Sequence, residues 1–161
     1  MATIRSANWL AFLLPTALLG GALISQYGFG LYPCEMCMWQ RWPHLAAIVL
    51  ALSALLLRAR SAALPLVVAA TMAILTSGLI GGFHAGVEYD WWEGLTSCAT
   101  NIAAGGDMLD SIMNAPLVRC DVAPWTLFGI SLAGFNFLLS VSGAILILMM
   151  IAKRRKDSDY V

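Results

Sequence analysis

The chain has 161 residues, of which 60% are hydrophobic and only 11% charged, with a mean hydropathy of +0.80. Soluble domains carry charge at about a quarter of their positions, so these figures exclude a soluble globular protein and indicate an integral membrane protein. The formal net charge is zero, which is uninformative as a sum, but the charges are segregated along the chain and their placement says more; no nucleic-acid partner is expected.

Four apolar stretches are long enough to cross a hydrocarbon core, which takes about 20 helical residues: 9–27, 39–57, 62–83 and 124–152. Arg5 precedes the first, which also resembles a signal peptide. The run outlasts the usual signal length and shows no small-x-small cleavage site before Pro33, so a retained helix is expected. In the second, Pro43 implies either a kinked helix or one that begins only near Trp39, with the residues before it in a loop. The fourth exceeds the minimum length and is expected to tilt or emerge at one end.

Basic residues stand at Arg5, at Arg58 and Arg60 between the second and third spans, and at Lys153, Arg154, Arg155 and Lys156 after the fourth. The positive-inside rule places both termini and the Arg58 connection in the cytoplasm. Segments 28–38 and 84–123 then face outward, and all four cysteines fall in them. The expected architecture is an all-α membrane protein forming a single domain over 1–161, a four-transmembrane-helix bundle with two outer cysteine-containing loops. Trp39, Trp42, Trp91, Trp92 and Trp125 mark the outer interface and Trp9 the inner one, as ordinary headgroup-depth anchors. In the long second loop, Asp107 caps a short expected surface helix carrying Met108, Leu109, Ile112 and Met113, with Gly105 and Gly106 as a hinge and Pro116 as its end.

Chemistry concentrates on the cysteines. Cys34 and Cys37 form a Cys-x-x-Cys pair after Pro33, a residue favoured at the first helical position. A helix starting there would set both thiols near unpaired N–H groups that stabilise a thiolate. Cys34, Cys37, Arg41 and His44 recur at helical spacing along one face. Arg41 and Gln40, beside the thiols at the mouth of an apolar span, suit a carbonyl-bearing ring such as a quinone held against sulfur. His84, among Gly81, Gly82 and Gly86, either handles a proton or caps its helix. His44 is read as a packed core histidine, and Glu88 as a solvated outer charge with at most a minor part in proton handling.

Rival readings remain open. Eight methionines scattered through apolar spans are gap-fillers rather than copper ligands. The wide spacing of Cys98 and Cys120 disfavours structural zinc, and no metal is expected. Two bracing disulfides suit an oxidising compartment, although a Cys-x-x-Cys bridge closes a loop so small that exchange is the better use. The four thiols admit three complete pairings. A membrane metal-binding or mercury-transport protein, with thiolates receiving a soft cation, is the alternative function.

The segment Tyr32-Pro33-Cys34-Glu35-Met36-Cys37-Met38-Trp39-Gln40-Arg41 resembles the start of the second helix in the disulfide bond formation protein B family, DsbB. So do Phe83-His84-Ala85-Gly86-Val87-Glu88 with Trp91 and Trp92, and Arg119-Cys120-Asp121 leading to Trp125, Gly129, Ser131 and Asn136. The resemblance covers most of the chain. It implies a bacterial inner-membrane enzyme with periplasmic cysteine loops that reoxidises a DsbA-like thioredoxin-fold partner and passes the electrons to ubiquinone or menaquinone. On that reading Cys98 captures the partner, Cys120 is freed to attack Cys34, and Cys37 is left as a thiolate beside a quinone bound by Gln40, Arg41 and His84.

Overall fold

The computed structural model describes residues 2–57, 60–95, 99–100 and 117–159. Four long helices dominate them: α1 (Ala2–Phe29), α2 (Glu35–Leu56), α3 (Arg60–Glu88) and α4 (Leu132–Asp159). Within α1, α3 and α4, the stretches Arg5–Phe29, Ala63–Glu88 and Leu132–Lys153 are long and apolar enough to cross a membrane. The remaining helix, α2, carries Gln40, Arg41 and His44 in its first half, and these polar groups lower its hydropathy.

The packing is that of helices whose solvent is lipid. Large apolar side chains such as Ile24, Val49, Leu79 and Met149 are exposed, whereas Ala7, Ala11, Ala47, Ala51, Ala70 and Ala144 are fully buried. Lipid is as apolar as leucine, so burial of bulk gains little and small residues that let backbones approach make the contacts. α2 packs along α3, α3 along α4, and α1 lies against α2 and α4. A Cβ placed on Gly78 would stand 2.9 Å from the Ser140 Cβ, and one on Gly82 2.7 Å from the Phe137 ring. The small residues of α3 thus admit α4.

Several expected boundaries move. The helix of the second span starts at Glu35, well before Trp39, and continues through Pro43. Cys34 is its N-cap and Pro33 precedes the cap, so the proline is not the first helical residue. The third helix runs past Phe83 to Glu88, which brings His84 and Glu88 into its last turns.

The fourth helix begins at Leu132, not at residue 124. The preceding residues form a hairpin of β3 (Thr126–Leu127) and β4 (Ile130–Ser131), after β1 (Ala99–Thr100) and β2 (Leu117–Val118). Phe128 and Gly129 at its turn both have positive φ, as a two-residue hairpin turn with right-handed strand twist demands. Tyr89 pins the hairpin to α3: its hydroxyl donates to the Gly129 carbonyl and accepts from the Ser131 N–H, each at 2.9 Å.

In the long segment between α3 and α4, β1 pairs antiparallel with β2, placing Ala99 opposite Val118. Arg58, Cys98 and the expected surface helix over 107–113, with Gly105, Gly106 and Pro116, lie outside the described residues.

Candidate functional site

The site forms where the start of α2, the end of α3 and the segment around Cys120 converge. Cys34, as N-cap, takes the Cys37 N–H on its sulfur at 3.3 Å, and the Met38 N–H reaches its carbonyl at 3.1 Å to open the helical ladder. One turn separates the two cysteines, so their sulfurs stand 3.0 Å apart. Cys34, Met36, Val87 and Cys120 are buried together, with Cys37, Phe83 and Val118 against them.

The Cys34 sulfur, the Cys120 sulfur and a His84 ring nitrogen all lie within 4.8 Å of one another. The helix-cap pair and the segment around Cys120 therefore meet in this fold, at a separation suited to thiol chemistry between them. β2 ends two residues before Cys120, and its partner strand begins at Ala99. That ladder ties together the chain on either side of the long segment.

The two α2 thiols divide one proton unequally. Donation of the Cys34 S–H to the Cys37 sulfur, aided by burial, pushes the Cys34 pKa up to about 12. The same hydrogen bond holds Cys37, in the first helical turn above the apolar stretch, below the ordinary thiol range despite its burial. The first proton lost by the pair thus comes from Cys37, making it the thiolate of the dithiol state.

Two cavities flank the pair, and Cys37 lies in the walls of both. The first, about 250 Å³, runs between α1, α2 and α4 and is lined mostly by apolar groups such as Leu18, Ala22 and Phe135, with Ser25, Gln40, Arg41, His44, Glu88 and Asn136 among its polar members. The second, about 310 Å³, contains Cys34, Cys37, His84, Val118 and Arg119. Glu88 also borders both. Its side chain is only 2% exposed, so the solvated outer charge expected from sequence is in fact buried between the cavities, with Oε1 3.8 Å from His84 Nε2.

The helical stripe read from spacing is thus split. Cys37, Arg41 and His44 line the first cavity, whereas Cys34 and His84 belong to the second. Arg41 is held by α1, donating to the Gln26 side chain and to the Ala22 carbonyl at 3.3 Å. Gln26 was not singled out in the sequence.

A buried polar ladder joins the cavities. Asn136 donates to Gln40 Oε1 at 2.8 Å and to the Ser77 carbonyl at 3.2 Å, while its own oxygen faces His44 Nε2 at 2.9 Å and accepts from Ser140 at 2.8 Å. Gln40 directs its N–H groups to the Met36 carbonyl at 3.1 Å and to His84 Nδ1 at 2.9 Å. Both amide hydrogens of Gln40 are thereby committed within the protein. His84 Nε2 lies 3.5 Å from the Cys34 sulfur. A Cβ on Gly81 would come within 3.1 Å of both Asn136 and Gln40, so that glycine makes room for the ladder.

Comparison with known proteins decides the family. A model of the family described as "Disulfide bond formation protein DsbB" matches residues 4–150. This chain belongs to the DsbB family. Among its relatives, a Disulfide bond formation protein B of Verminephrobacter eiseniae is 31% identical over 162 aligned positions, covering 94% of this chain and 88% of the relative. Another, of Polaromonas, is 32% identical over 152 positions, covering 85% and 84%. An uncharacterized protein, RP370, of Rickettsia prowazekii is 26% identical over 128 positions, covering 76% and 73%. No solved structure matches the chain. DsbB membership, the membrane-length helices and the clustered thiols together make this a disulfide-forming membrane oxidoreductase.

Proposed function

We propose that this DsbB-family protein is a bacterial inner-membrane thiol:quinone oxidoreductase that reoxidises a soluble, periplasmic, DsbA-like thioredoxin-fold partner. All four helices cross the membrane in this reading, with both termini cytoplasmic and the cysteine segments periplasmic. The observation that carries it is the position of Cys37, shared by the thiol cavity and by an apolar cavity that opens among the membrane helices.

The first cavity suits a quinone head group. Its volume, about 250 Å³, falls just below the range of about 300–1,000 Å³ usual for small-molecule sites and suits a ring rather than a whole ligand; its walls are mostly apolar, and His44 Nδ1, buried and without a partner among the described residues, belongs to one of its polar members. Ubiquinone or menaquinone would supply a two-electron acceptor there. Arg41, with guanidinium N–H groups beyond the two given to α1, offers a charged donor beside Cys37, and Gln40 and Asn136 hold the wall in place.

On the thiol side, a thiolate of the reduced partner attacks Cys98 of a Cys98–Cys120 disulfide; the mixed disulfide forms, the Cys98–Cys120 bond breaks and Cys120 is released as a thiol. Its thiolate attacks Cys34; the Cys34–Cys37 bond breaks and Cys37 leaves as a thiolate. Exchange favours a leaving thiol of low pKa, and Cys37 is the lower of the pair. His84 supports the sulfur that is attacked, while Arg41 serves the ring.

Purified protein, given a reduced thioredoxin-like partner and a water-soluble quinone, should oxidise the partner thiols and bleach the quinone in equal amounts. A rival reading has one observation in its favour: Cys34, His84 and Cys120 form a compact donor set that a thiophilic cation could also use. Stoichiometric metal uptake without quinone reduction would establish that reading and overturn this one.

A further inference from the structure

The ladder between the cavities has a direction, fixed by groups whose roles cannot be exchanged. The Ser77 carbonyl is only an acceptor, so the nitrogen of Asn136 must face it and the oxygen must face His44. That amide oxygen can only accept, which places the His44 proton on Nε2. The Met36 carbonyl likewise fixes Gln40, whose nitrogen donates to His84 Nδ1 and so leaves the His84 proton on Nε2, beside Cys34. Every donor points from His44 toward the cysteine.

At the upstream end, His44 Nδ1 carries a lone pair. The residue is 3% exposed and forms part of the first cavity's wall, and Nδ1 is buried without a hydrogen-bond partner among the described residues. A buried polar atom left unpaired costs about 1–3 kcal/mol, and a histidine needed only to brace α2 against α4 would require Nε2 alone. The unpaired atom is an acceptor, so its ligand must be a donor. Between the two states of the proposed ring, the quinone presents carbonyl oxygens, which only accept; the quinol presents hydroxyls, which donate.

We propose that His44 contacts the ring and tells its redox states apart, with Nδ1 accepting a hydrogen bond from a hydroxyl of the quinol. This rests on the reading of the first cavity as a quinone site. Conversion of a quinone to a quinol takes two electrons and two protons, and formation of the Cys34–Cys37 bond from two thiols releases the same number of each. By favouring the product, His44 draws that exchange toward disulfide formation.

The test uses the full chain with Cys34→Ser, Cys98→Ser and Cys120→Ser, which leaves Cys37 without a second thiol to pair with and so gives the ring no disulfide-forming electron pair, and which keeps the first cavity's wall intact. Binding of a short-chain quinone and of its quinol is measured anaerobically by tryptophan quenching. His44→Gln keeps a donor near Nε2 and removes the Nδ1 acceptor, whereas His44→Asn restores an acceptor near Nδ1 and gives up the Asn136 contact. His44→Gln should lower quinol affinity roughly two- to tenfold, the range of one hydrogen bond, with quinone affinity nearly unchanged; His44→Asn should keep the preference.

An unchanged quinol-to-quinone ratio in His44→Gln, or a loss confined to His44→Asn, overturns the inference and leaves the function standing. Failure of the parent to bind either form overturns both. The chain has only two histidines, so imidazole ¹⁵N spectra of the protein with His44 intact give a second answer: Nδ1 of one ring should move on quinol addition and stay on quinone addition. No movement with a bound quinol refutes the contact.

Discussion

Asn136→Leu should uncouple α4 from α2 and α3. Asn136 makes side-chain bonds to Gln40 and His44 on α2 and to Ser77 on α3, at 2.8, 2.9 and 3.2 Å. Hydrogen bonds between helices in membranes average about 0.6 kcal/mol each, so the three contribute about 2 kcal/mol. The substitution also strands the Gln40 carbonyl and the His44 N–H in a buried site, while Ser140, one turn along α4, can turn to a backbone carbonyl. The expected loss is therefore at least about 2 kcal/mol, read as a shift of the unfolding midpoint in a mixed-detergent titration. The same variant should loosen Gln40 and, through it, His84, so Cys34 alkylation in the folded, reduced protein should accelerate. A loss below about 0.5 kcal/mol, with unchanged Cys34 reactivity, would refute the ladder as a joint between α2, α3 and α4.

Three further outcomes follow from the site. As pH rises, the first thiol proton leaves Cys37 and the Cys34 proton is kept to about 12; alkylation of the reduced pair should label Cys37 below the ordinary thiol range and spare Cys34, as mapped by mass spectrometry, and equal labelling would contradict this. Arg41→Met should weaken quinone use roughly ten- to a hundredfold, the worth of a charge-assisted hydrogen bond, and leave mixed-disulfide formation with the partner within about twofold; the reverse split in stopped-flow kinetics would remove Arg41 from the ring site. In Gly86→Ala the new Cβ would lie 2.0 Å from the Trp92 ring, which stacks on Phe83 and donates to its carbonyl at 2.9 Å; a loss of about 1–3 kcal/mol with a changed near-ultraviolet dichroism is expected, and an unaltered spectrum would show that Trp92 does not pack there.

Three of the helices were legible because length and apolarity suffice to define a membrane crossing. The start of α2 was less so: Pro43 argued for a late beginning, yet proline is tolerated inside membrane helices whose neighbours help satisfy the backbone. The hairpin before α4 was hidden because Trp125, Leu127, Phe128 and Ile130 extend the apolar run that follows, and only Gly129 signals a turn.

At the site, local spacing revealed Cys34, Cys37, Gln40 and Arg41, which share one short stretch. Ser77 and Asn136 are 37 and 96 positions from Gln40, beyond the reach of any periodicity. A signal did exist: Asn136 and Ser140 lie four apart within an apolar span, and polar groups at membrane depth face the bundle interior. Glu88 was taken for a solvated charge because its helix was expected to end at Phe83, one turn too early.

The most direct test of the account is whether Cys34 and Cys120 meet in the native fold. In a protein retaining only these two thiols, with Cys37→Ser and Cys98→Ser, mild oxidation in detergent or lipid should form an intramolecular Cys34–Cys120 disulfide without denaturant, since their sulfurs lie within 4.8 Å. If that bond forms only after unfolding, or only between molecules, the proposed route from the outer segment through Cys34 to Cys37 is contradicted.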